Sequence, residues 1–152
     1  MTMEPRMKQP VQLVPDAYKA LLDLHKAAQK TGIGQDLANM VHLRASQING
    51  CGVCVHMHAR DMRKAGESDD RVDSVAAWRE APYYTDAERA ALNLTEYVTR
   101  IADKPDPVPD EVFAEAAKHF DEQQLAGLLL EIAGINVWNR LNCATRQIAG
   151  EW

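Results

Sequence analysis

The sequence predicts an all-α protein, a single-domain helical bundle of about seven helices, and three observations carry that reading. Strict apolar/polar alternation, the mark of a half-buried strand, is absent over any useful length. Residues that start and stop helices recur along the whole chain instead. With 152 residues and 46% apolar side chains, the chain is long enough to bury one substantial core.

Residues 1–14, with Pro5 and Pro10, are expected to form an extended N-terminal arm, and residues 15–152 the helical domain. A first helix is predicted from Pro15 to about Lys30, ended by Gly32 and Gly34, and a second from about Gln35 to Ile48, stopped by Asn49-Gly50. The third starts near Cys51 and ends at Gly66, a residue suited to the left-handed position after a helix. Ser68 caps a short fourth helix through Trp78. Thr85 with Glu88 has capping-box spacing and opens a fifth helix through about Ala102. Prolines at 105, 107 and 109 make a linker. A sixth helix spans Pro109 to His119, and Asp121 with Gln124 caps a long seventh that is expected to reach about Ala149.

The net charge of −5 argues against nucleic acid as a partner, since phosphate binding needs a basic face. No apolar run approaches membrane-spanning length, and the first ten residues lack the apolar core of a secretory signal, so a cytoplasmic address is expected. Three cysteines are too few for a disulfide scaffold there, and a close pair points to catalysis or metal binding.

That pair is Cys51-Gly-Val-Cys54. With His58 it falls at spacings of three and four residues, on one face of a helix. Cys51 stands at the helix start, where free N–H groups favour a thiolate. His58, one turn beyond Cys54, is placed to exchange a proton with its sulfur. Two thiols within disulfide reach and an adjacent proton carrier are what disulfide exchange or peroxide reduction requires. The residues alone also admit two inert core cysteines, or a zinc half-site. Against zinc, His56 and His58 point different ways from one helix. A c-type haem is excluded, because Val55 stands where its ligand histidine would be. No metal and no cofactor are expected.

On the preceding helix, Leu37, Met40, Val41, Ala45 and Ile48 make the apolar stripe. Asn39, His42 and Ser46 lie together on the other side, where solvation is the simplest expectation and facing the thiols the alternative. Arg44 lies on the apolar stripe and needs an acidic partner from another helix. His25 and His119 are expected to be solvated, His56 to lie at the surface or an interface, and Cys143 to pack.

The run Leu43–His58, LRASQINGCGVCVHMH, resembles the alkyl hydroperoxidase D and carboxymuconolactone decarboxylase family. The similarity continues through residues 63–67, 77–82, 88–92, 108–112 and 135–141, about residues 15 to 145 in all. The resemblance implies an all-helical, AhpD-like homo-oligomer, often a trimer or hexamer. It implies that Cys54 attacks peroxide, Cys51 resolves the product as a disulfide, and His58 supports proton transfer. The substrate would be a small organic hydroperoxide and the partner a thiol or dithiol reductant. The decarboxylase branch generally lacks the cysteine pair.

One position departs from the pattern. The glutamate that usually starts the family's relay, twelve residues before the first cysteine, is Asn39 here, and an amide cannot accept a proton. His42, one turn later, is the candidate to take over. The expected function is therefore a thiol-dependent peroxidase. The alternatives are a redox-sensing or non-catalytic helical oligomer, and lyase or isomerase chemistry using His42, His58 or Arg44.

Overall fold

Helix α3 (Gln35–Asn49) is the element around which the others are arranged, packing against α4 (Gly52–Lys64), α6 (Asp86–Thr99) and α8 (Glu122–Thr145). The computed structural model describes residues 2–151. Every regular element among these residues is helical. Preceding α3 are α1 (Pro10–Leu13) and α2 (Pro15–Gln29), and between α4 and α6 lie α5 (Asp69–Asp73) and a 3₁₀ segment, Val75–Glu80. Helix α7 (Asp110–Ala117) precedes α8. No helix among the described residues is long and apolar enough to cross a membrane.

The predicted caps form. Thr85 Oγ1 accepts from the Glu88 N–H at 3.2 Å while Glu88 accepts from the Thr85 N–H at 2.8 Å. Asp121 and Gln124 make the same reciprocal pair at 2.8 and 3.0 Å. Ser68 accepts from the Arg71 N–H at 3.2 Å. Gly50 closes α3 at φ 68°, a left-handed conformation that lets α4 fold straight back along α3.

Four expectations need correction. The arm is not simply extended: α1 forms within it, and it is tied to the end of α8 by Arg6 N–H donating to Thr145 O at 2.8 Å and Gln147 Nε2 to Met7 O at 3.0 Å. The fourth helix is two pieces, α5 ending at Asp73 and a 3₁₀ segment from Val75 that is itself kinked where Ala77 leaves helical geometry at φ −123°, ψ 35°. The fifth ends at Thr99 rather than Ala102. Helix α8 ends at Thr145 rather than Ala149, because Arg146 turns left-handed at φ 53° without a glycine to announce it.

The core has two main clusters. Val41, Leu94, Leu125, Leu128 and Ile132 unite α3, α6 and α8. Met40, Leu43, Met62, Trp78 and Leu92 unite α3, α4, α6 and the 3₁₀ segment. Among these sits a charged node: Arg44 Nε and Trp78 Nε1 both donate to Glu96 Oε1 at 2.9 Å, and Arg79 donates to Oε2 at 2.6 Å. This supplies the acidic partner that Arg44 required.

Helix α8 approaches the end of α2 most closely at Gly127, where a β-carbon would lie 1.9 Å from Thr31 Oγ1 and 3.0 Å from Ala28 O. Gly127→Ala is therefore expected to destabilise the protein by roughly 1–3 kcal/mol, the usual cost of overpacking. Gly134→Ala, whose nearest neighbour is Leu24 at an ordinary 3.8 Å, should cost far less. Urea denaturation of both variants checks the contrast.

Candidate functional site

The left-handed turn at Gly50 sets Cys51 as the residue that caps α4, with Cys54 in the first turn and Val55 N–H donating to Cys51 O at 2.9 Å. Cys51 and Cys54 are joined as a disulfide with Cα atoms 5.3 Å apart. Both are fully buried, with Val53 beside them. The group in reach of the Cys54 sulfur is one the sequence did not suggest: Asn142 Nδ2, on α8, donates to Sγ at 3.2 Å. The Asn142 carbonyl in turn accepts from Gln9 Nε2, so the N-terminal arm orients the amide. An amide held this way, together with the α4 N-terminus, favours negative charge on Cys54 when the disulfide opens.

His58 lies one turn beyond Cys54 and is buried, with 8% of its surface exposed. Its Nδ1 is 3.5 Å from Asp61 Oδ2, at the limit of an ion pair, and neither ring nitrogen has a well-formed hydrogen bond. The His58 contact is the main reason the Asp61 carboxyl titrates below its ordinary range.

The His58 ring centroid is 4.9 Å from that of His42 on α3, which lies 5.7 Å from His25 on α2. His42 and His25 both converge on Glu131, a carboxylate of α8 that is 2% exposed. His42 Nε2 lies 2.6 Å from its Oε2, His25 Nδ1 lies 2.8 Å from its Oε1, and Gln29 Nε2 donates to Oε1 at 3.1 Å. Burial holds His42 below its ordinary pKa, outweighing the opposite pull of Glu131. Burial pushes Glu131 up, but the hydrogen bonds from His42, His25 and Gln29 more than offset it and hold the carboxyl below its usual range. The pair is thus a neutral imidazole donating to a carboxylate.

The polar face of α3 is consequently not solvated. Asn39, His42 and Ser46 are all buried, because α8 covers that side while α4 and α6 cover the others. Asn39 does not touch the thiols: its Oδ1 accepts from Gln35 Nε2 at 2.8 Å. Ser46 Oγ accepts from Asn139 Nδ2 at 3.0 Å, and Asn49 donates to both Asn136 and Asn139, so an amide ladder fixes α3 on α8. His25 is likewise drawn in, whereas His119 stays exposed near Glu115. His56 is exposed, as expected for a surface position. Cys143 does not pack as anticipated; it is an exposed free thiol with Sγ 3.7 Å from Asn49 O.

Sequence reading missed Glu131, His25 and Asn142. Glu131 sits on a largely apolar helix, and a lone acid there is the signal that would have found it. One donor atom each from His25, His42 and Glu131 lies within 4.8 Å of the others, close enough to hold a cation. Hydrogen bonding already accounts for each of those atoms, so we assign the set as a hydrogen-bonded triad. Beside it opens a cavity of about 850 Å³, whose wall includes His25, His42, Val53, His58, Glu131 and Asn142. The cysteines lie one layer behind that wall.

Residues 15–97 match the model of the Carboxymuconolactone decarboxylase family. The chain belongs to this family. It is 38% identical over 133 residues to the uncharacterized protein YdfG of Bacillus subtilis (strain 168), covering 88% of this chain and 89% of that one. Among solved structures it resembles ATU0492 of Agrobacterium tumefaciens, a protein of unknown function whose proposed role is antioxidant defence as AhpD. That match has a TM-score of 0.89 at 33% identity, covering 98% of this chain and all of that one. The fold also matches the alkylhydroperoxidase AhpD core of a peroxidase-related protein from Ralstonia eutropha JMP134, with a TM-score of 0.79 at 20% identity over 97% of this chain and 77% of that one. The AhpD-like helical fold is therefore shown.

His42 and Glu131 both titrate below their ordinary values, so both contribute stability that is present above those values and lost as pH falls. Conformational stability of the oxidised protein should decline as pH drops below the ordinary histidine value of 6.5, and further below the glutamate value of 4.5. His42→Gln should flatten the first decline and leave the second, as urea midpoints measured across pH would show.

Proposed function

We propose that the protein is a thiol-dependent peroxidase that reduces organic hydroperoxides through a Cys51/Cys54 dithiol–disulfide cycle. The observation that carries this reading is the disulfide at the start of α4 with the Asn142 amide on the Cys54 sulfur. Family membership supports the peroxidase-related class.

In the cycle the Cys54 thiolate attacks the outer peroxide oxygen, the O–O bond breaks, and the leaving alkoxide takes a proton to become the alcohol. Cys54 is left as the sulfenic acid. The Cys51 thiol then attacks the Cys54 sulfur, releasing water and forming the disulfide. An external thiol or dithiol supplies two electrons and two protons to restore the pair and leaves as its own disulfide. The cycle requires peroxide to reach Cys54 through the side of the cavity lined by Val53, His58 and Asn142.

In this reading His58 gives the leaving oxygen its proton and the His42–Glu131 pair behind it replaces that proton, a path supported by the 4.9 Å between the His58 and His42 rings and the His42–Glu131 contact. On this reading the glutamate of the path comes from α8 rather than from position 39, with His42 as its contact. His25 links the same carboxylate toward solvent, its side chain being 36% exposed.

Burial of both sulfurs favours one second reading, an oxidant sensor that keeps the same disulfide and turns over slowly. Supplied with dithiothreitol and cumene hydroperoxide, the wild type should consume many equivalents of peroxide per subunit; a single equivalent would establish the sensor instead. Cys54→Ser should abolish consumption, and Cys51→Ser should allow one sulfenylation trapped by dimedone. Asn142→Ala should slow alkylation of reduced Cys54 at neutral pH by about tenfold, the worth of one hydrogen bond to a charged group. If Cys54→Ser still consumes peroxide at the wild-type rate, the cycle is wrong.

A further inference from the structure

We propose that the cavity beside His58 selects an uncharged organic ligand with a sizeable apolar body and discriminates against ligands that carry a carboxylate. The proposal names the substrate class of the site just described and rests on that reading. Two features of the cavity carry it.

The first is size and lining. A volume of about 850 Å³ is far more than a hydrogen peroxide molecule fills and falls in the range of sites for whole organic molecules. Tyr18, Leu22 and Leu24 from α2, Met57 from α4, and Ile135 and Trp138 from α8 make its apolar wall. Tyr18 meets Trp138 edge-on, with ring centroids 6.2 Å apart, which holds the indole in place as a flat surface.

The second is charge. The charged side chains on this wall are Asp61, Glu131 and Glu151, all of them carboxylates. Glu131 already takes the nearest imidazole nitrogens of His42 and His25 and the amide of Gln29, so those donors are committed. His58, the remaining imidazole at the reactive end, faces Asp61. A ligand carboxylate would leave bulk water for a mostly apolar wall among like charges, of which Glu131 is buried and Asp61 and Glu151 lie nearer solvent, and would meet repulsion with no free cationic side chain on that wall to offset it. An uncharged hydroperoxide meets no such repulsion and covers the apolar wall with its body. The same lining disfavours the carboxylated lactone from which the family takes its name.

The test uses redox-inert analogues and the oxidised 152-residue chain. Isothermal titration calorimetry at neutral pH would compare 2-phenylpropan-2-ol with its para-carboxylate derivative. The neutral alcohol is expected to bind at least about tenfold more tightly, given the cost of juxtaposed like charges. Glu151→Lys is expected to narrow that gap, read as the ratio of the two affinities in the same variant, at least about threefold. Equal or tighter binding of the carboxylate overturns the proposal, as does failure of the alcohol to bind or a gap unmoved by Glu151→Lys. Neither analogue has an O–O bond, so the result is independent of turnover. Discrimination without peroxide consumption would remove the peroxidase reading and leave this selectivity standing, and consumption without discrimination would do the reverse.

Discussion

The Glu131 carboxylate is the constraint on which the arrangement of helices around the site depends. It is carried into the interior by α8, a helix whose neighbouring residues are apolar, and an ionised carboxylate there is tolerable only with hydrogen-bond donors around it. The donors come from two other helices, His25 and Gln29 on α2 and His42 on α3. One buried charge thereby fixes the relative positions of three helices, and with them the wall of the cavity. The carboxylate also orients the His42 ring, which burial keeps neutral against the carboxylate's opposite pull.

The disulfide is placed by a different set of constraints. The Gly50 turn reverses the chain between α3 and α4 and delivers Cys51 to the cap of α4. The amide ladder of Asn49, Asn136, Asn139 and Ser46 then locks this corner against α8, so that Asn142, one turn further along, comes to the Cys54 sulfur. The N-terminal arm completes the set from outside, since Gln9 orients Asn142 and Arg6 and Met7 are bonded to the end of α8. The arm is thus a structural part of the thiol site, although nothing in its composition marks it so.

What was legible in the sequence were the features that depend on neighbours in the chain. The Thr85–Glu88 and Asp121–Gln124 boxes, the Gly50 stop and the Cys51–Cys54–His58 spacing are all local, and local rules located them. Arg44 was legible as a charge in need of a partner, though not that Glu96 would be the partner. The polar face of Asn39, His42 and Ser46 was visible as a stripe, but its burial was not, because α3 is covered on every side and a stripe says nothing about what lies opposite. Glu131, His25 and Asn142 join the site across separations of 88 to 106 residues, where periodicity carries no information. The end of α8 was misplaced for a related reason: Arg146 adopts the left-handed conformation without being the residue type that advertises it.

Comparison of the two buried glutamates shows why only one of them suits the proton path proposed for this site. Glu96 is satisfied by Arg44, Arg79 and Trp78, and a guanidinium or an indole does not give up its proton at any pH the folded protein meets. Hydrogen bonds from His42, Arg-free and imidazole-based, give Glu131 an equally complete set of partners, with His25 and Gln29 beside it. Imidazoles, unlike guanidinium groups, exchange protons near neutrality. The first glutamate therefore anchors α3, α6 and the 3₁₀ segment in one fixed state. The second is as deeply buried, yet two of its partners are imidazoles, whose second ring nitrogen leaves them a further proton-exchanging atom. The side of the molecule where a buried acid is paired with histidine is also the side where the cavity opens and the disulfide lies behind the wall. In two sites of similar burial and similar charge, partner chemistry separates a packing node from a site suited to the proposed proton path.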